Sequence, residues 1–293
     1  MARTYWDPEE TWELRFTEAE GRSFFNNERP SHPYVPRHPQ DVPGSALHDL
    51  TDECGIRSLA QVFIIPFAVR SVGGGRRVIS PNSVLALGDR AVGLWTEKPA
   101  AGVKLLIPLE RVAAIEDLTI LLYGRLSFVP FGNRLTIRYN TVARAAMRPA
   151  LLELRRRLAG PARSLPPLPP EPSELPFKWR VLAHDPVVRL EAGLPALVRF
   201  AEVPGRSRRE RPIGQMIALN AYELVYLSEP LGTADRYGVD CSTVPRSRMT
   251  SVSIQDGDLE VISNGASLRF SMAPTLRDAA GVWLGAAAPG TAN

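Results

Sequence analysis

One nine-residue pattern occurs twice in the chain. Ile107-Pro108-Leu109-Glu110-Arg111-Val112-Ala113-Ala114-Ile115 and Val244-Pro245-Arg246-Ser247-Arg248-Met249-Thr250-Ser251-Val252 both read apolar-Pro-x-x-Arg-apolar-x-x-apolar. An internal repeat limits the fold more than any local propensity, because whatever one copy builds the other must also build. The match extends in both directions. Residues 84–97 and 216–229 each hold a short apolar run, a Gly/Asp or Asn break and a second apolar run, which is the pattern of two strands joined by a turn. Downstream, Leu135-Thr136-Ile137-Arg138-Tyr139 and Ala266-Ser267-Leu268-Arg269-Phe270 alternate as half-buried strands do. Each copy then reaches Met-x-Pro, at Met147-Arg148-Pro149 and Met272-Ala273-Pro274, before an apolar run suited to a helix with proline at its first position. In the first such helix Leu151, Leu154 and Leu158 form one stripe, and Arg155, Arg156 and Arg157 fall near the C-terminus, where cations are favoured.

Each unit is therefore several strands closed by one helix, and a helix in that place plugs the open end of a strongly bent sheet. With Pro-x-x-Arg-apolar-x-x-apolar entering the middle strand, this order resembles the bacterial pleckstrin-homology-like (PH-like) domains. The resemblance covers residues 56–160 and 194–288. It implies a mainly β (α+β) protein of two tandem seven-stranded barrel-like sandwiches, each capped by a C-terminal helix. The second copy departs from the first by a longer loop around 232–238 and a shorter stretch between Val252 and Leu268. The remainder divides into an N-terminal helix and arm (1–55), a linker (161–193) and a tail (289–293).

At 293 residues, two domains is the natural expectation. The net charge of +4 is mild, and the cations are nearly all arginine, with Lys98, Lys104 and Lys178 the only lysines. That balance gives no reason to expect nucleic-acid binding. Cys54 and Cys241 sit at unrelated positions of the two units, which suggests reduced thiols in a cytoplasmic protein. The start has no apolar secretory core, and the run 62–69 is too short to span a bilayer.

Asp7-Pro8-Glu9-Glu10 is a helix start, with the helix expected to run to about Phe25. Residues 26–50, broken by Pro30, Pro33, Pro36, Pro39 and Pro43, read as an irregular arm anchored by Tyr34, Val35 and Val42. His32, His38 and His48 lie in this arm beside Asp41 and Asp49, at spacings that fit no zinc pattern, so no metal or other cofactor is expected. The first strand region is expected over 59–69 and a flexible loop over 72–77. Prolines at 161, 166, 167, 169, 170, 172 and 176 predict a semi-rigid spacer. Arg163-x-x-Pro166-x-x-Pro169 also fits the ligand pattern of polyproline-recognition domains.

The loop after the first strand of each unit is basic. The resemblance implies a possible grip on phosphorylated lipid headgroups there, through Arg70, Arg76 and Arg77 in one unit and Arg199, Arg206 and Arg208 in the other, with Arg209 and Arg211 nearby. The bland alternative is a solvated loop that keeps the protein soluble. No nucleophile elbow, metalloprotease helix or dinucleotide fingerprint occurs. Asp52-Glu53-Cys54 near His48 is the one local run in which a thiol site can be imagined, which leaves an enzyme with its site in the N-terminal arm as the remotest reading. The expectation is a non-enzymatic binding or scaffolding protein that contacts a protein partner or another copy of itself, with weak contact to anionic membranes as the alternative. Arg111 and Arg248, equivalent in the repeat, are read as structural, pairing with a carboxylate or a carbonyl at a barrel end.

Overall fold

The computed structural model describes residues 14–15, 32–66, 68–72, 75–80, 82–97, 103–120, 123–132, 134–165, 175–203, 212–230 and 238–285. Mainly antiparallel β-sheet with few helices, it makes two rounds of strands, each ended by a helix, with nine strands in the first and seven in the second. Ahead of the first round lie β1 (Leu14–Arg15) and α1 (Gly44–Cys54). The first round then comprises β2 (Val62–Ile65), β3 (Ala68–Val72), β4 (Gly75–Ser80), β5 (Ser83–Leu87), β6 (Ala91–Thr96) and β7 (Val103–Pro108). A 3-10 turn at Leu109–Arg111 leads into β8 (Val112–Ile120), β9 (Tyr123–Pro130), β10 (Leu135–Asn140) and α2 (Arg144–Ala159). After α3 (Phe177–His184) and α4 (Pro186–Arg189) the second round gives β11 (Ala196–Val203), β12 (Ile213–Asn220), β13 (Glu223–Ser228) and β14 (Val239–Pro245). A 3-10 turn at Arg246–Arg248, β15 (Met249–Gln255), β16 (Asp258–Ser263), β17 (Ala266–Ser271) and α5 (Pro274–Gly285) complete it.

The two rounds agree in register at the hairpin that leads into the proline turn. Ala91 pairs with Pro108, as Glu223 does with Pro245, and Leu87 pairs with Val92, as Leu219 does with Leu224. Pro108 and Pro245 end their strands because they have no N–H to continue a ladder. The next amide folds back in both cases: Leu109 N–H donates to the Arg90 carbonyl and Arg246 N–H to the Tyr222 carbonyl, each at 2.8 Å. The strand that follows carries a register shift at the same place, between Val112 and Ala114 in β8 and between Met249 and Ser251 in β15. Tight hairpins at Asp256-Gly257 and Asn264-Gly265 have positive φ at both residues, the conformation that a two-residue turn between twisted strands requires.

The sheets are β1-β3-β4, β2-β5-β6-β7, β15-β16-β17 and a seven-stranded sheet β10-β9-β8-β14-β13-β12-β11. The last one belongs to both units. It forms because β8 of the first pairs antiparallel with β14 of the second, from Ile115 opposite Thr243 to Thr119 opposite Val239. The two units are thus fused through a strand seam. Each has its own core: Met147, Leu154 and Leu158 of α2 pack with Phe63, Leu85, Phe128 and Ile137, and Leu276, Ala280 and Trp283 of α5 pack with Leu219, Leu259 and Phe270.

Several expectations are corrected. Leu14–Arg15 is a strand paired with β3, so the helix expected over 7–25 is not continuous, and its other residues lie outside the described ones. The arm is not irregular to residue 50. Residues 44–54 form α1, whose Ala46, Leu50 and Cys54 recur every four residues and are buried against Val84, Ala86 and Trp95. Upstream, Tyr34 and Ile64 exchange backbone hydrogen bonds at 3.1 and 2.9 Å, and Val42 is buried. The first strand region breaks at Pro66 into β2 and β3. The stretch expected as a loop over 72–77 is in part strand: Val72 ends β3 and Gly75, Arg76 and Arg77 begin β4, with Val72 opposite Gly75, while 73–74 lie outside the described residues. The helix α2 begins at Arg144 rather than at Pro149, led in by a 3-10 turn that the Asn140 side chain caps (Val142 N–H at 3.0 Å). The linker is not a bare spacer. Arg163 N–H donates to the Ala221 carbonyl at 2.8 Å, and residues 177–189 hold α3 and α4, while 166–174 and all but Gly238 of the long loop expected around 232–238 lie outside the described residues.

Candidate functional site

Polar groups concentrate where β8 meets β14. Neighbouring residues of a strand face opposite sides of the sheet, so Glu116 and Asp117 serve different networks. On one side Arg134 grips Glu116 through two hydrogen bonds, at 2.6 and 3.1 Å, and the Ser127 and Thr136 hydroxyls meet at 2.9 Å. Asp240 shares this side. Burial pushes its carboxyl up to about 7; Arg125 and Arg134 oppose that rise, and the nearby Glu116 and Asp117 charges add to it.

On the other side α2 presents arginines to both units. Asp117 accepts a hydrogen bond from the Tyr139 hydroxyl at 2.9 Å and pairs with Arg144 at 3.3 Å. Arg148 pairs with Asp185, the cap of α4, at 2.5 Å. Arg155, from the first unit, donates to both oxygens of Glu223, from the second, at 3.1 and 2.7 Å, and to the Val187 carbonyl at 2.9 Å. Those two side chains are only 7% and 1% exposed, so this ion pair is sealed from solvent. The Tyr139 phenol is pushed well above its ordinary value by burial and by Asp117.

The 3-10 turns form a second contact. Arg248 donates to the carbonyls of Leu109 and, at 2.5 Å, Val112, so the repeat arginine of the second unit ties down the turn of the first. Asn264 Nδ2 donates to the Glu110 carbonyl at 2.7 Å, and Ser263 Oγ to the Ala113 carbonyl at 2.9 Å. Arg246 is buried and donates to the carbonyls of Asn220, Arg163 and Ser164, at 3.1, 3.2 and 3.0 Å. Its equivalent in the first unit is Leu109. Arg111, by contrast, is exposed. Arg248→Ala is expected to cost about 1–3 kcal/mol, since it removes a charged donor from two carbonyls at once. Thermal unfolding checks it, and an unchanged melting temperature refutes it.

Of the basic residues singled out in the sequence, Arg70, Arg76, Arg77 and Arg199 lie among the described residues. Arg70 lies on β3 directly opposite Arg77 on β4, and Arg76 lies opposite Ser71. Arg199 is on β11, half-buried, with its guanidinium 5.5 Å from the Trp283 ring centre and a hydrogen bond to the Val198 carbonyl at 3.1 Å. That stacking uses the cation within its own fold. Arg206, Arg208, Arg209 and Arg211 lie outside the described residues.

The thiol site imagined around Cys54 is not supported. Cys54 is fully buried, and burial, followed by the Glu53 charge, pushes its thiol up to about 12, far from the thiolate that a nucleophile needs. Burial drives Cys241 to about 12 as well. In the arm, Asp41 accepts the Arg37 and His38 amides, each at 3.0 Å, while His38 and His48 are exposed. Among the described residues no three His, Cys, Asp or Glu side chains converge as a metal-ligand set, and no helix is long and apolar enough to cross a membrane. Sequence reasoning missed Glu223, Asp240 and the role of Arg155; the one available signal was an acidic residue, Glu223, opening a strand that is otherwise apolar. Compared with protein-family models, curated proteins and solved structures, the chain gives no significant match.

Proposed function

We propose that the protein is a non-enzymatic scaffold, made of two PH-like units, that binds protein through its strand edges. One observation carries this reading: the first unit already recognises the second by edge-to-edge pairing of β8 with β14. Strand addition draws its affinity from main-chain hydrogen bonds and its selectivity from the alternating side chains. The chemistry near the seam agrees, since Glu116, Asp117 and Glu223 are each paired with an arginine and the two buried cysteines are held as thiols.

A second reading, binding of anionic phosphate headgroups, has one observation in its favour. The hairpin register sets two arginine positions, 70 and 77, opposite each other, and arginine is the residue type suited to binding phosphate oxygens. One experiment separates the two readings. The full chain is spun with phosphatidylserine vesicles at low and high salt, and in parallel used as bait in native lysate with mass spectrometry of what it retains. The scaffold reading expects salt-resistant protein capture and no sedimentation with vesicles. Sedimentation that falls with salt and disappears in Arg76→Ala/Arg77→Ala, with nothing specific captured, would replace it with the lipid reading.

A further inference from the structure

Among the described residues, each unit has a strand equivalent to one side of the seam that stands at a sheet edge. By the repeat, β7 of the first unit is the equivalent of β14, and β15 of the second is the equivalent of β8. Inside the molecule the β8-type edge of one unit is taken by the β14-type edge of the next. That leaves β7 at the edge of the four-stranded sheet and β15 at the edge of its three-stranded sheet, each with no strand on its outer side among the described residues.

Burial marks the difference between covered and uncovered copies. In the seam Ile115, Glu116, Leu118, Cys241 and Thr243 are all at most 5% exposed. On the two outer strands Leu105 is 52% exposed, Ile254 41% and Val103 37%, three of the seven large apolar side chains that stand out among the described residues. Proteins protect sheet edges with charge, proline or cover, and four other edges among the described residues are protected. Tyr34 bridges onto β2, β10 carries Arg138, β11 carries Arg199 and Glu202, and β17 carries Arg269. By contrast β15, Met-Thr-Ser-Val-Ser-Ile-Gln, has no charged residue, and β7 has only Lys104 ahead of its terminal proline. The register shift that precedes the paired part of β8 recurs in β15.

We infer that β15 of one molecule adds to β7 of a second copy of this chain, in the geometry that β8 and β14 use within it. Transferring the internal register sets Val252 opposite Leu106, Ser253 opposite Leu105, Ile254 opposite Lys104 and Gln255 opposite Val103. Two different surfaces meet, so the contact is head-to-tail and can repeat. Assembly proceeds past the dimer, to a ring if the rotation closes and to a filament if it does not. This inference rests on the scaffold reading above and names one partner for it.

The test uses the full chain in sedimentation velocity across a concentration series. The wild type is expected to show mass that grows with concentration beyond the dimer. Leu105→Lys and Ile254→Lys each place a charge on one edge and leave the other intact, so each alone should be monomeric, with association weakened at least about tenfold. Circular dichroism and an unchanged melting temperature establish that each variant is folded, as expected for side chains this exposed. Mixed in equal amounts, the two variants should form a dimer and nothing larger, because the intact β15 of one meets the intact β7 of the other. A monomeric wild type, single variants that still assemble, or a mixture without heterodimer overturns the inference. Any of these results together with specific capture of another protein leaves the scaffold reading standing, so the two failures are distinguishable.

Discussion

Arg155→Ala is expected to destabilise the fold by about 3–5 kcal/mol, because it strips the partner from a carboxylate that has almost no access to water. Glu223 is 1% exposed and accepts both of its charged hydrogen bonds from Arg155. The guanidinium also holds the Val187 carbonyl, so alanine leaves that acceptor short as well. The partners belong to different units, Arg155 to the cap helix of the first and Glu223 to the start of β13 in the second. The loss should therefore appear in both units at once. Urea unfolding followed by tryptophan fluorescence and by far-ultraviolet circular dichroism is expected to shift as one transition. Replacing both residues with apolar ones of similar volume should recover much of the loss, since a buried ion pair costs desolvation that such a pair avoids. A single variant within about 1 kcal/mol of wild type would mean that water or another cation reaches Glu223 and that the pair does not join the units.

That pair also shows where reading the sequence stops. Three arginines at the end of an amphipathic helix look like complements to the helix dipole, and for Arg156 and Arg157 surface pairing is what occurs, with Glu153 and Glu191 and with Asp89. Arg155 differs only because a strand from the other unit passes beneath it, a fact of tertiary arrangement with no local trace. The hairpins, the alternation of β10 and β17 and the two proline-led turns were legible, since each is set by residues close in sequence. Helix α1 was hidden by the prolines before it, although Ala46, Leu50 and Cys54 carry the four-residue step of a buried stripe. The pairing of β8 with β14 was not legible. The residues that meet there, Glu116 with Ser242 and Asp117 with Cys241, are polar enough to suggest a solvated face, and the choice of partner strand is a long-range one.

Asp240→Asn is expected to stabilise the protein at neutral and alkaline pH, the opposite of what losing a charge at the surface would do. Burial raises the Asp240 carboxyl from 3.8 to about 7 in the folded state. Between those values the folded chain keeps a proton that the unfolded chain has released, so the unfolded state binds fewer protons and stability falls as pH rises through the window. Below the lower value both states are protonated and the penalty vanishes; above the upper one it is complete. The gap corresponds to roughly 4 kcal/mol at most. About half of that is the sounder expectation, because the residue is only half-buried by surface and solvent screens the cost there. Asparagine stays neutral throughout and keeps the shape. Other carboxylates, Glu116 with its two bonds from Arg134 among them, contribute their own slopes, so the quantity to measure is the difference between variant and wild type. Urea midpoints near pH 4, near pH 6 and near pH 8 should lie closest together at the first and separate progressively, with the variant the more stable. Parallel curves would place the Asp240 carboxylate in water and remove the buried charge from this side of the seam.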